Sequence, residues 1–227
     1  MLGLCLCVSF VPASLAVDWA RVEYQDVLKR TPQPERGAEL FRSCATCHAP
    51  DGGGVPDGSV PAIAGQHFRV IVKQLVDFRN DRRWDIRMEH YVDRHRLPGT
   101  QDLADVAAYV SRLRRTAPAG IGPGESVGLG ASVYFRDCES CHGATGDGSD
   151  QKVIPRLAGQ HYEYLLRQIY DAIDGRRPNM DGRHARLLSR YDRAEIVGVA
   201  DYLSRMSPGL TVRRHDDQKA GWMAAAD

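Results

Sequence analysis

Two short motifs place a pair of cysteines directly before a histidine. Residues Cys44–His48 read CATCH and residues Cys138–His142 read CESCH, so both have the form C-x-x-C-H, the attachment signature of c-type haem. Two thiols one helical turn apart can form thioethers to the two vinyl groups of one porphyrin, and the next residue brings an imidazole to the iron. The sequence therefore predicts two covalently bound haem c groups, with these attachment and iron-binding residues: Cys44, Cys47, His48, Cys138, Cys141 and His142.

A disulfide framework is the alternative for paired cysteines in an exported protein. Residues 1–16 are predicted to be a secretory signal peptide, because Leu2–Ala16 is uncharged and apolar or small and ends in small residues. The segment is shorter than the roughly 20 residues that span a bilayer, and it lacks the usual basic start. Cys5 and Cys7 leave with it, so the mature chain has only the four motif cysteines. The histidine after each pair favours haem over disulfides.

The two halves of the chain repeat each other at an offset of 94 residues, which indicates a duplicated domain. The offset joins Phe41 to Phe135, Pro61 to Pro155, Gln66 to Gln160, His67 to His161, Gln74 to Gln168 and Asp77 to Asp171. We predict one domain over residues 17–118 and a second over residues 119–210, followed by a flexible tail at 211–227. Thr116–Gly130 is rich in glycine and proline and is expected to link the domains.

The elements that must position the motifs are predicted to be helices, because apolar residues recur at helical spacing and no stretch alternates as a strand. The predicted helices are Glu35–Cys44, Gln66–Phe78, Asp102–Leu113, Ser126–Cys138, Gln160–Ile173 and Arg193–Met206. An all-α domain of this size would be only marginally stable if it depended on its own apolar core. We expect a haem to supply the missing apolar centre of each domain.

These features together resemble the di-haem class I cytochromes c of the cytochrome c4 type. The resemblance covers Gln33 to Leu210 and rests on both C-x-x-C-H motifs, the Pro-x-x-Ala-Gly-Gln segments at Pro61 and Pro155, the Lys/Arg-Gln-Leu/Ile helices and the closing helices. It implies two tandem class I cytochrome c domains about a pseudo-twofold axis and a periplasmic electron-transfer role. It also implies methionine as the usual sixth iron ligand, in a loop between the last two helices.

The chain departs from the resemblance at that sixth ligand. Met88 and Met180 lie in the corresponding loops but at an offset of 92, whereas His90 and His184 keep the offset of 94. Two imidazole ligands on one iron lower its reduction potential relative to a histidine–methionine pair. We therefore predict bis-histidine coordination, through His48 with His90 and His142 with His184. The alternative is that the methionines coordinate and that both loop histidines lie at the surface, since loops tolerate changes in length.

Further residues receive roles from their positions. The carbonyls of Pro61 and Pro155 are expected to orient the two motif histidines. His67 and His161 are expected to have a structural or haem-edge role, and His95 to face solvent. Four repeated arginines are candidates for pairing with haem propionates, or for a solvated basic loop: Arg82, Arg83, Arg176 and Arg177.

The function predicted from these features is electron transfer between redox protein partners in the periplasm, without a substrate of the chain's own. A formal net charge of +1 gives no bulk attraction to nucleic acid. The mature chain has no predicted transmembrane span, which is compatible with a membrane-peripheral protein. The alternatives are an oxidoreductase of the thiosulfate dehydrogenase type and an electron-accepting subunit of a dehydrogenase or reductase. Resemblance to the first implies a haem whose sixth ligand is cysteine, and the mature chain has no cysteine left for that role.

Overall fold

A computed structural model describes residues 17–114, 117 and 119–207, which fold into two helical domains. The helices of the first domain are α1 (Trp19–Leu28), α2 (Pro34–His48), α3 (Phe68–Arg79), α4 (Ile86–Val92) and α5 (Thr100–Arg112). Those of the second are α6 (Val127–Val133), α7 (Glu139–His142), α8 (Tyr162–Ile173), α9 (Gly182–Leu188) and α10 (Arg193–Arg205). Apart from one isolated bridge, Ser149 to Ile154, none of the described residues pairs as a strand. The predicted all-α class is confirmed.

The predicted signal peptide and the predicted tail from residue 211 onward lie outside the described residues. Helix α1 was not predicted, because only Ala20 and Val27 of its ten residues are buried and its apolar pattern is weak. Pro34 starts α2 at a position where its missing N–H costs no hydrogen bond. A capping box between Asp192 and Glu195 starts α10.

The same close helix crossing recurs in both domains. Helix α2 packs on α5 at Gly37, where an added Cβ would lie 2.1 Å from the carbonyl oxygen of Asp105. Helix α6 packs on α10 at Gly130, where an added Cβ would lie 1.8 Å from the carbonyl oxygen of Gly198. Because only glycine permits these approaches, the crossing fixes the helix that leads into each motif. A π-helical turn, Tyr134–Cys138, continues α6 into α7, so these elements together match α2.

Two short helices that the sequence did not reveal, α4 and α9, stand before the closing helices α5 and α10. Each has seven residues and begins after an aspartate whose carboxylate accepts a backbone N–H, Asp85 from Arg87 and Asp181 from Arg183. The segment before α9, Asp174–Asp181, is two residues longer than the segment before α4, Asn80–Asp85. The repeat offset therefore becomes 96 in these helices, so the third residues, Met88 and His184, are equivalent.

The two domains meet through hydrogen bonds that repeat across the interface. The Gln66 side chain bonds the backbone N–H and carbonyl of Arg156, at 2.9 and 3.0 Å. The Gln160 side chain bonds those of Ala62, at 3.1 and 2.8 Å. His67 Nε2 lies 2.7 Å from the carbonyl oxygen of Asp147. These reciprocal contacts, between residues 94 apart, give the pair its pseudo-twofold symmetry.

The linker is shorter than predicted and is bound to the second domain where it is described. Helix α6 begins at Val127, so Gly128 and Gly130 are helical. The backbone N–H of Gly122 donates to Ser204 Oγ at 3.1 Å, and that of Gly124 donates to Asp201 Oδ2 at 2.5 Å.

Candidate haem sites

The motif cysteines lie on helical backbone that turns their thiols toward one side. Helix α2 runs through Cys44 and Cys47 to His48, so the two thiols are one turn apart. Cys138 ends the π-helical turn and Cys141 lies in α7. None of the four forms a disulfide. Burial raises the pKa of the Cys44 thiol, and it raises the pKa of the Cys138 thiol to about 11. Both are therefore held as neutral thiols.

Both motif histidines are buried and held by the same contact. His48 Nδ1 lies 3.1 Å from the carbonyl oxygen of Pro61, and His142 Nδ1 lies 3.1 Å from that of Pro155. An Nδ1–H that donates to a carbonyl leaves Nε2 as the free lone pair, which is the atom a metal needs. Burial lowers the pKa of His48, and it lowers the pKa of His142 to about 4 against the opposing Pro155 bond. Both imidazoles are therefore neutral at physiological pH.

A cavity of about 470 Å³ opens beside the first motif, a size usual for a ligand site. Its wall includes the motif residues, apolar side chains of α3 and α5, and Met88 of α4. His90 is not on the wall: it is exposed, and Arg96 Nη2 donates to its Nε2 at 2.7 Å. The structure thus does not bring His90 to His48, because α4 starts at an offset of 96 rather than 94.

In the second domain the two predicted histidines do face each other. The ring centres of His142 and His184 are 6.2 Å apart, at an interplanar angle of 39°. Metal–nitrogen bonds of about 2 Å to two opposed imidazoles put their ring centres roughly 6 Å apart. Burial and the charge of Arg177 lower the pKa of His184, which keeps it neutral. Met180 precedes the first turn of α9, and its backbone N–H donates to the carbonyl of Arg177 at 3.2 Å.

Two of the four predicted arginines reach the cavity without a charged partner. Arg83 donates to Gln74, Tyr164 and Gln168, at 2.6 to 2.7 Å, and all three acceptors are neutral. The buried Nε of Arg177 has no hydrogen-bond partner, and burial together with Arg83 lowers its pKa to about 10. No carboxylate of the described residues pairs with either guanidinium. Two guanidinium groups that reach the cavity without a carboxylate partner call for anions, and carboxylates of a haem fit that need.

The other two arginines belong to the surface. Arg82 is exposed and pairs with Asp18 at 2.7 Å. Arg176 is exposed and pairs with Asp171 and Asp174 at 2.8 and 2.6 Å, although it also borders the cavity. The sequence identified Gln74 and Gln168 as a repeated pair at the offset of 94 but gave them no role, and the structure places both side chains against Arg83.

Two further histidines, His67 and His161, contact backbone carbonyls through their ring nitrogens. His161 is buried, with Nε2 at 2.9 Å from the carbonyl oxygen of Gly53 and Nδ1 at 2.7 Å from that of Ala119. His67 makes the equivalent contact to Asp147. Both therefore tie the domains together, in the structural role expected of them. His95 is exposed, as expected.

Comparison with known proteins gives consistent matches over both halves. The Cytochrome c family model matches residues 34–114 and again 127–207. Cytochrome c4 of Thiocapsa roseopersicina is 34% identical over 201 residues, which are 81% of this chain and 98% of that protein. The thiosulfate dehydrogenase electron acceptor of Stutzerimonas stutzeri is 30% identical over 177 residues, which are 72% of this chain and 79% of that protein.

The fold has a matching solved structure. The crystal structure of reduced recombinant cytochrome c4 from Pseudomonas stutzeri superposes with a TM-score of 0.68 at 26% identity, and the match covers 78% of this chain and all of that one. Within the described residues no helix has the length and apolar character needed to cross a bilayer.

Proposed function

The chain belongs to the cytochrome c family as a two-domain member of the cytochrome c4 type, and we propose that it passes electrons between redox proteins of the periplasm. It is a di-haem electron-transfer cytochrome with two haem c groups. When bound, each haem supplies a one-electron ferric/ferrous couple. The observation that carries the assignment is the repeated contact of a buried motif histidine with a proline carbonyl, 3.1 Å in both domains.

The attachment residues follow from the motifs. Each haem would be held by thioethers to one cysteine pair, Cys44 with Cys47 and Cys138 with Cys141, and by the Nε2 atom of His48 or His142. Arg83 and Arg177 would bind the propionates and balance their charge. A second protein ligand from α4 or α9 would occupy the sixth coordination position of each iron. An iron with six ligands suits electron transfer, because it has no open position at which a substrate could bind. On this ground the chain would have no catalysis of its own.

Export to the periplasm is supported by the leader-like character of residues Leu2–Ala16 and by the haem-attachment motifs. A cleaved leader would remove residues 1–16 and leave the two domains, 17–118 and 119–210.

A second candidate function is the electron-accepting partner of a periplasmic dehydrogenase. The likeness to a protein named thiosulfate dehydrogenase electron acceptor favours it. An oxidoreductase of the thiosulfate dehydrogenase type is less favoured, because all four cysteines outside the leader-like segment are committed to the two motifs.

The experiment is to isolate the exported chain and measure haem per polypeptide after acid-acetone extraction. We expect two retained haems, both reduced by dithionite and reoxidised by a soluble redox mediator without added substrate. Loss of haem on extraction would contradict covalent attachment. Turnover of thiosulfate by the isolated chain would favour the enzyme alternative.

A further inference from the structure

We propose that the two irons have different sixth ligands, Met88 in the first domain and His184 in the second, and that this difference sets the direction of electron flow. The inference rests on the proposed function and adds to it the identity of both ligands. It departs from the expectation that a duplicated domain keeps one ligand type in both copies.

The equivalence of the two positions comes from the backbone. Met88 and His184 are each the third residue of a seven-residue helix that begins after a capping aspartate, Asp85 or Asp181. The fourth residue after each is the buried end of the helix, Val92 or Leu188. The two side chains therefore leave corresponding points of α4 and α9.

The surroundings of each position identify the ligand. In the first domain Met88 is half-buried and lines the cavity that holds His48, whereas His90 is bonded to Arg96 outside it. In the second domain His184 lies 6.2 Å from His142, centre to centre, while Met180 lies before the helix begins. Each domain thus presents one side chain to its motif histidine, a thioether in one and an imidazole in the other.

The chemistry of these two groups makes the sites unequal. A thioether is a soft, weak donor that favours ferrous iron, so histidine–methionine ligation raises the potential. A second imidazole favours ferric iron and lowers the potential. The first domain is therefore expected to be the stronger electron acceptor.

The direction of transfer follows. One electron leaves the second-domain site, which is oxidised from ferrous to ferric, and reduces the first-domain site from ferric to ferrous. No bond or proton moves. A reduced redox protein supplies the electron at the second domain, and an oxidised one removes it at the first. We expect an equilibrium constant of about a hundredfold or more toward the first domain, equivalent to about 120 mV at 59 mV per tenfold for one electron.

The test compares absorption spectra of the full-length di-haem protein and its variants. We expect the oxidised wild type to show the far-red sulfur-to-iron band of one haem. Met88→Ala should abolish this band and make one haem high-spin. His184→Ala should make the other haem high-spin and leave the band in place. Met88→His should remain low-spin without the band, and His184→Met should double it, which keeps the test valid if an alanine variant misfolds.

The matched controls are His90→Ala and Met180→Ala, which should leave the band and both spin states unchanged. Loss of the band in Met180→Ala, a high-spin haem in His90→Ala, or a wild-type band absent or of two-haem intensity would overturn the assignment. Failure of the proposed function would be seen differently, as fewer than two covalent haems or an inability to cycle between oxidised and reduced forms.

Discussion

At the scale of single residues, the sites are built from two kinds of group: histidines that are neutral and arginines that have no carboxylate partner in the part of the chain that the structure describes. The candidate iron-binding histidines are neutral because burial lowers the pKa of His48, His142 and His184. Arg83 and Arg177 instead lack a carboxylate partner among the described residues. The neutral imidazoles would coordinate the iron, and the arginines would pair with the propionates. Both kinds of contact would stabilise a charged porphyrin in an apolar cavity.

The attachment chemistry can be tested at one cysteine of each pair. Cys141→Ser removes one of the two thioethers of the second domain, so haem retention there should fall while the first domain stays loaded. Cys47→Ser is the matched change in the first domain and should give the opposite pattern. Mass spectrometry of the two domains after proteolysis measures the haem on each. Equal loss from both domains in either variant would show that the sites are not independent.

The role of the buried arginine can be tested through the reduction potential. A cation near the iron favours the reduced state, which has one positive charge fewer. Arg177→Gln should therefore lower the reduction potential of the haem whose propionate Arg177 would bind. The expected change is on the order of 1 kcal/mol, or a few tens of millivolts for one electron. Arg82→Gln, at an exposed arginine already paired with Asp18, should change little. Redox titration followed by absorbance measures both variants, and an unchanged or raised potential in Arg177→Gln would contradict the role.

At the scale of elements, the sites depend on helices that are fixed by one crossing in each domain. The helix leading into each motif packs on the closing helix with no room for a side chain at Gly37 or Gly130. This crossing sets where the cysteines and the motif histidine lie. The short helices α4 and α9, which precede the closing helices, then carry the proposed sixth ligands.

The crossing in the second domain can be tested with two glycines of the same helix. Gly130→Ala places a methyl group against the Gly198 carbonyl, so it should lower the free energy of unfolding by about 1–3 kcal/mol. Gly128→Ala meets nothing within 4 Å and removes a flexible helix residue, so it should be neutral or stabilise by up to about 1 kcal/mol. Denaturant titration of the di-haem protein gives both values. A Gly130→Ala protein as stable as the wild type would show that the crossing is looser than described.

Much of this architecture could be predicted from the sequence, because the apolar periodicity of the long helices and the repeat of 94 residues can both be read directly from the order of the residues. The motif residues and the proline contacts could be inferred for the same reason. The sixth ligand of the first domain could not, because it depends on a two-residue difference in length before α4 and α9. That difference moves His90 outside the cavity and brings Met88 onto its wall. Capped seven-residue helices have too few apolar positions to show a period.

At the scale of the whole molecule, the two domains form one unit through reciprocal polar contacts. Gln66 and Gln160 each bond both backbone groups of a residue in the other domain. His67 and His161 add contacts to backbone carbonyls across the interface. The arginines of both halves, Arg83 and Arg177, face the same cavity. A fixed domain arrangement would hold two bound haems at one separation, and the separation sets the rate of electron transfer between them.

The interface can be tested by removing both glutamine side chains. The double variant Gln66→Ala with Gln160→Ala loses four hydrogen bonds across the interface, each worth about 0.5–1.5 kcal/mol. Calorimetry should show one thermal transition for the wild type and two for the variant. Gln151→Ala, at an exposed glutamine of the second domain, is the control and should keep the single transition. Two transitions in the wild type would mean that the domains are not coupled.

The central claim is that two domains of one fold hold irons with different sixth ligands, and that this difference sets the direction of electron transfer between the two haems. The most direct measurement is a redox titration of the wild-type protein, followed by its far-red absorption. The account predicts two separate one-electron steps, with the sulfur-to-iron band lost entirely in the step at the higher potential, because the methionine-ligated haem is reduced first. A single step, or a band that persists until the step at the lower potential, would contradict it.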